Sequence, residues 1–115
     1  MDFNLESTFF SMLVLVGGIF TIAGMVMYIF PPKRINYIYG YRTSSSMKSE
    51  ERWNFAQRFS AIAMIQSGLA LVAFSIIGLF YSFSKSTEVI AAVILIILAL
   101  SYLFIRTENG LKKFR

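Results

Sequence analysis

Three stretches of the chain, residues 9–30, 59–83 and 89–105, contain no charged side chain over 22, 25 and 17 residues respectively. A helix needs about 17 to 25 apolar residues to cross a bilayer. Backbone amides and carbonyls that face hydrocarbon must be satisfied within their own segment, so helices are the form such stretches take. The expectation is an all-α integral membrane protein with three transmembrane helices. Composition agrees: 57% of the residues are hydrophobic, against roughly 45–50% in soluble domains. That is more apolar surface than a soluble core of this size would hide.

The residues before the first span carry Asp2 and Glu6 but no Lys or Arg. They do not resemble the positive start of a secretory signal, and the span ends in Pro31-Pro32-Lys33-Arg34, a stop-transfer pattern. It is therefore read as a true membrane helix. Pro31 ends it by biasing Phe30 away from helical backbone, and neither proline donates a backbone hydrogen bond. Gly17, Gly18, Thr21 and Gly24 form a small-residue stripe along which another helix can approach closely. That helix belongs either to the same chain or to a second copy, which leaves room for a homo-oligomer. Glycine is also common in membrane helices without such a role.

Residues 31–58 are the only long polar part of the chain and hold six of its eleven Lys and Arg. Ile35, Tyr37, Tyr39 and Tyr41 stand at alternate positions, with Asn36, Gly40 and Arg42 between them, a period of two that favours extended backbone. A lone strand has nothing to pair with. The better reading is an extended segment at headgroup level, with tyrosine rings in the apolar zone and hydroxyls in water. Gly40 supplies a bend or a close approach. The hydroxyls from Thr43 to Ser46 are candidate caps, and Glu50 and Glu51 suit the start of the helix that follows. On that helix Trp53, Ala56, Phe59 or Ser60, Ala63, Ser67 and Ala70 mark one face. Gln66, the one strongly polar side chain inside a span, is expected to bond across helices.

Only residues 84–88 separate the second and third spans, so these helices should be antiparallel neighbours. Ser86 or Thr87 is the expected cap of the third helix, with Glu88 in its first turn. The basic tail, residues 106–115, should anchor at the headgroups. Lys and Arg number none before the first span, six in the first loop, one (Lys85) in the second and four in the tail. With three spans the loop and tail share a side, and the positive-inside rule makes that side cytoplasmic and the N-terminus external.

The net charge of +5 is concentrated beside apolar spans, which points to anionic lipid headgroups rather than to direct nucleic-acid binding. There is no Cys and no His, so thiolate chemistry and the commonest metal ligand and general base are absent. Glu50 and Glu51 are adjacent, about 100° apart on a helix, and do not converge as an acid/base pair. No phosphate-cradling glycine loop exists. Neither enzyme activity nor a cofactor is expected. Arg42 and Thr43, beside Gly40 and a helix N-terminus, suit an anion such as a lipid phosphate or peptide carboxylate. Equally, Arg42 pairing with Glu50 or Glu51 would only fix the loop.

Asn36, then Tyr39-Gly40-Tyr41-Arg42-Thr43, Ser46, Ser49-Glu50-Glu51, Trp53 and Gln57-Arg58-Phe59 together resemble the signature of the SdpI family. These are bacterial membrane proteins named for immunity to the SDP killing-factor peptide. Gln57 and Ser60 stand where that family often has Asn or His, and Gly. The resemblance implies one SdpI-like domain over residues 1–115, in the bacterial cell membrane, without the additional N-terminal helices of the full-length immunity protein. It implies a non-enzymatic resistance protein against a membrane-active peptide toxin, with Asn36, Tyr39, Gly40, Arg42, Thr43, Ser46, Glu50, Glu51 and Trp53 as the functional loop. The alternative it implies is a regulatory or interaction module that recruits a soluble protein, such as a transcriptional repressor, at its cytoplasmic face.

Overall fold

The computed structural model describes residues 5–36 and 38–114. It is all-helical, with α1 over Thr8–Ile29, α2 over Glu50–Ser75, a single turn α3 over Ile77–Phe80, and α4 over Lys85–Leu111. Short 3-10 turns occupy Ser46–Lys48 and Lys112–Phe114. Among the described residues there is no strand. Three helical segments, Thr8–Ile29, Glu50–Phe80 and Lys85–Phe114, are long and apolar enough to cross a membrane. The molecule is elongated, 52 by 23 by 21 Å.

Each of the three long helices starts where a hydroxyl satisfies its free amides. Ser7 Oγ accepts from the Phe10 amide at 3.1 Å, Ser49 Oγ from Arg52 at 3.1 Å, and Ser84 Oγ from Thr87 at 3.3 Å. Two expectations are corrected here. Ser84 caps the third long helix rather than Ser86 or Thr87, because the charged Lys85 and the two hydroxyl residues after it already adopt helical backbone. Likewise Ser49, in extended conformation, caps α2, while the hydroxyls of Thr43 and Ser46 serve the loop. The prolines end α1 as expected, with the Phe30 amide making the last bond, to Val26 O at 2.7 Å.

Glu88 does lie in the first turn of α4, yet its carboxylate acts on another helix. Oε1 accepts from the Ser7 hydroxyl at 2.6 Å and the Phe9 amide at 2.9 Å. A carboxylate on the amides of a helix N-terminus is the favourable pole of the helix dipole, so this contact ties α4 to the start of α1.

The small-residue stripe of α1 packs against α2. A Cβ on Gly68 would lie 2.6 Å from both the Gly17 carbonyl oxygen and the Thr21 nitrogen, and one on Gly24 would lie 2.9 Å from the Ala61 carbonyl. Backbones this close exclude any larger residue. Gly18, by contrast, faces open space. Phe9 and Leu13 of α1, Leu71 of α2 and Ala92 of α4 form the buried apolar cluster. The buried face of α2 runs through Trp53, Ala56, Ser60, Ala63 and Ser67 as the spacing predicts, then continues to Leu71 and Ser75. Ala70 is exposed, a correction of one position: the step from Ser67 is four residues, because Leu71 is what meets Leu13 in the cluster.

Many large apolar side chains point outward, including Ile19, Ile22, Leu69, Phe74, Ile90, Ile94, Ile97 and Leu98. In water that belt would be untenable, since soluble monomers rarely expose more than a few hundred Å² of contiguous apolar surface. In hydrocarbon it is the solvated face.

Candidate functional site

The loop between α1 and α2 folds onto the adjoining ends of α2 and α4, and its polar groups are consumed in doing so. Asn36 begins it: Oδ1 accepts from the amides of Ile38 at 2.9 Å and Tyr39 at 2.8 Å, and Nδ2 donates to Arg34 O at 3.0 Å. This is the local turn chemistry of Asn. The Tyr39 hydroxyl donates back to Phe30 O at 2.8 Å, satisfying a carbonyl that the proline stop leaves without a helical partner. Tyr37, the other member of the alternating series, lies outside the described residues.

Gly40 holds φ at +109°, a region that side chains rarely adopt. A Cβ there would also strike Gln57 Oε1 and the Pro32 ring. The expected bend and close approach are therefore one feature, which lets the next residue reach the buried amide of Gln57. Gln57 Oε1 accepts from the Tyr41 N–H at 2.6 Å, and its Nε2 donates to Tyr41 O at 2.8 Å. One side chain thus satisfies both backbone groups of Tyr41, as a neighbouring strand would.

Thr43 and Ser46 close a turn reciprocally. The Thr43 amide donates to Ser46 Oγ at 2.9 Å and the Ser46 amide to Thr43 Oγ1 at 3.2 Å. Arg52 Nε donates to Ser45 O at 2.6 Å, and the Trp53 indole N–H to Pro32 O at 2.7 Å. Trp53 is fully buried, which makes it the apolar floor of the loop.

Glu108, near the end of α4, completes the arrangement: Oε2 accepts from the Tyr41 hydroxyl at 2.7 Å and the Thr43 hydroxyl at 2.9 Å. Burial, followed by the hydrogen bond to Glu108 and its negative charge, pushes the Tyr41 phenol well above its ordinary value of 10.0. The tail after the last charge-free stretch packs onto α2. Thr107 and Leu111 are buried, Gly110 abuts Phe55, and Lys113 Nζ sits 4.2 Å above the Phe55 ring.

The structure therefore brings together Asn36, Tyr39, Gly40, Thr43, Ser46 and Trp53, while Arg42, Glu50 and Glu51 are exposed. Sequence reasoning missed Gln57 and Glu108 as site members. Gln57 could have been placed by its position one helical turn after Trp53 on the inward face. Glu108 could have been placed as the single acid in an otherwise basic tail. Among the described residues, no group of three or more acidic side chains gathers where it could hold a metal ion. The outward surface of the loop includes Ile38, at 93% the most exposed large apolar residue among the described residues, and the exposed Lys33, Arg34, Arg42 and Lys48.

No solved structure matches the chain. A Bacillus subtilis (strain 168) protein with the name "Uncharacterized protein YfhL" is 42% identical over 96 residues, which cover 84% of this chain and 82% of that one. The model of the SdpI/YfhL protein family matches residues 33–105, from the beginning of the loop to the end of the last apolar stretch. The loop signature, the three apolar helices and these two matches agree, and the chain belongs to the SdpI/YfhL family.

Proposed function

We propose that the protein is a non-enzymatic resistance protein of the bacterial cell membrane that protects against a membrane-active peptide toxin. The observation that carries this reading is family membership, together with a loop whose hydroxyls and amides, with the half-buried Glu108, hydrogen-bond one another rather than converging on a reacting atom. In this reading the loop and tail are cytoplasmic and the N-terminus external. The support is charge: ten Lys and Arg flank the spans on the loop and tail side and one, Lys85, on the other, the asymmetry of the positive-inside rule. The functional element is the outward face of the loop, which exposes the apolar Ile38 and the cations Arg42 and Lys48.

Expression of the chain in toxin-sensitive cells tests the reading directly. Survival should rise, and Arg42→Ala should remove the protection while the protein still accumulates in the membrane. Unchanged killing in the presence of the wild-type chain would refute the proposal. The exposed cations Lys33, Arg34, Arg42 and Lys48 on a docked loop also favour a second reading, recruitment of an acidic surface of a soluble regulator. Co-purification of such a protein, lost on Arg34→Glu, supports that reading in place of the first.

A further inference from the structure

α2 and α4 do not close against each other along their outer edge. A groove of about 430 Å³ runs between them, lined by Gln66, Ala70, Phe74, Leu95, Leu98 and Tyr102. Its volume lies within the roughly 300–1,000 Å³ of ligand clefts. Its polar side chains are largely engaged within the protein: the Tyr102 hydroxyl donates to Gln66 Oε1 at 2.7 Å and Ser67 Oγ to Ala63 O at 2.8 Å. Tyr102 also lines a second hollow of about 500 Å³, together with Phe59, Arg106 and Asn109. Arg106 is the first charge after the apolar stretch of α4. Its guanidinium lies 5.3 Å from the Phe59 ring centre and 6.0 Å from that of Tyr102.

We infer that this groove binds one anionic phospholipid, with an acyl chain between α2 and α4 and its phosphate on Arg106. Two observations select that occupant. The first is charge: an apolar groove that shares Tyr102 with a hollow lined by one cation, Arg106, matches an amphiphile with a single negative head. The N–H donors of a guanidinium lie in its plane, so stacking its face on aromatic rings orients it without using them up. The second is length. From Leu95 to Arg106 the helix rises about 16 Å at 1.5 Å per residue. That is close to half of a hydrocarbon core about 30 Å thick, which sets the phosphate at the headgroup level when the tail ends at the bilayer centre. The site is independent of the loop surface invoked above.

The test is native mass spectrometry of the full chain released from bilayers containing equal amounts of phosphatidylglycerol and phosphatidylcholine of the same acyl composition. The wild type should retain the anionic lipid about tenfold over the zwitterionic one. Arg106→Gln should bring that ratio near one, Arg106→Lys should preserve most of it, and Ala70→Phe, which fills the groove, should lower retention of both lipids. Arg58→Gln, at the same membrane level but away from the groove, should leave the ratio unchanged. Equal retention by the wild type, or an unaltered ratio in Arg106→Gln, overturns the site. So does efficient disulfide dimerisation of Ala70→Cys in these bilayers, which would give the groove to a second copy; the chain is otherwise free of Cys.

Discussion

Replacing Gln57 by Leu keeps most of the side-chain volume and removes both hydrogen bonds to Tyr41. The two lost bonds are not equivalent. Tyr41 O retains a second donor, the Ser46 hydroxyl at 3.2 Å, so its loss is an ordinary net hydrogen bond, about 1 kcal/mol. The Tyr41 N–H has only Gln57 Oε1 at 2.6 Å and would be left without a protein acceptor, at a cost of about 1 to 3 kcal/mol. Because Tyr41 is only half-buried, water reaches the orphaned amide in part, and the lower end applies: about 2 kcal/mol for the pair. That corresponds to about a 30-fold shift from docked to undocked loop, at 1.4 kcal/mol per tenfold. Amide hydrogen exchange in micelles or nanodiscs reads it directly. Protection of the segment containing Tyr41 should fall about 30-fold or more, while protection around Leu13 and Leu71, in the α1–α2 core, should not change. Unaltered exchange at Tyr41 would show that the loop is held by Trp53 and Glu108 alone, and the clamp argument would be wrong.

Gly68→Ala should destabilise the α1–α2 pair by about 1 to 3 kcal/mol through overpacking, whereas Gly18→Ala, which meets nothing within 4 Å, should be neutral; thermal unfolding in detergent compares them. The Tyr41 phenol is held above its ordinary value of 10.0, so the folded loop favours the neutral form. Its contribution is complete below pH 10 and is lost as the pH rises through the higher folded value. The emission of Trp53, the single Trp, should therefore report loop release on alkaline titration, and Tyr41→Phe should abolish that step; an identical titration in the variant would contradict the assignment. Glu88→Leu should raise exchange at the Phe9 amide and fray the first turn of α1 without altering the loop end, and equal exchange in both proteins would show that Ser7 caps the helix unaided.

Most of the candidate site was legible as a pattern, but not as a set of roles. Gly40 stood out because its chemistry is local, a bend that the residue type announces by itself, and Trp53 because the spacing put it on the inward helix face; Asn36 stood out only as part of the signature. Thr43 and Ser46 were expected to cap a helix and instead pair with each other, since Ser49 sits closer to the first helical turn. Gln57 stood out in the sequence only as part of the signature, and Glu108 only as a tail residue. Both act on a partner far along the chain, sixteen residues away for Gln57 and sixty-seven for Glu108.

What the sequence determined by itself was the membrane frame. Three charge-free stretches of helical length, prolines after the first and a basic loop and tail leave hydrocarbon and headgroups as the only compatible surroundings, because transfer free energies act residue by residue and depend on no contact between helices. Tertiary structure decided which residues are machinery and which are surface. Only the packing of Gly17 and Gly24 of α1 against α2 at Gly68 and Ala61, and the return of α4 beside the loop, puts Gln57 under Tyr41 and Glu108 beside Thr43. Hydrogen bonds are short-ranged and directional, so their partners follow from where the helices meet rather than from spacing along the chain.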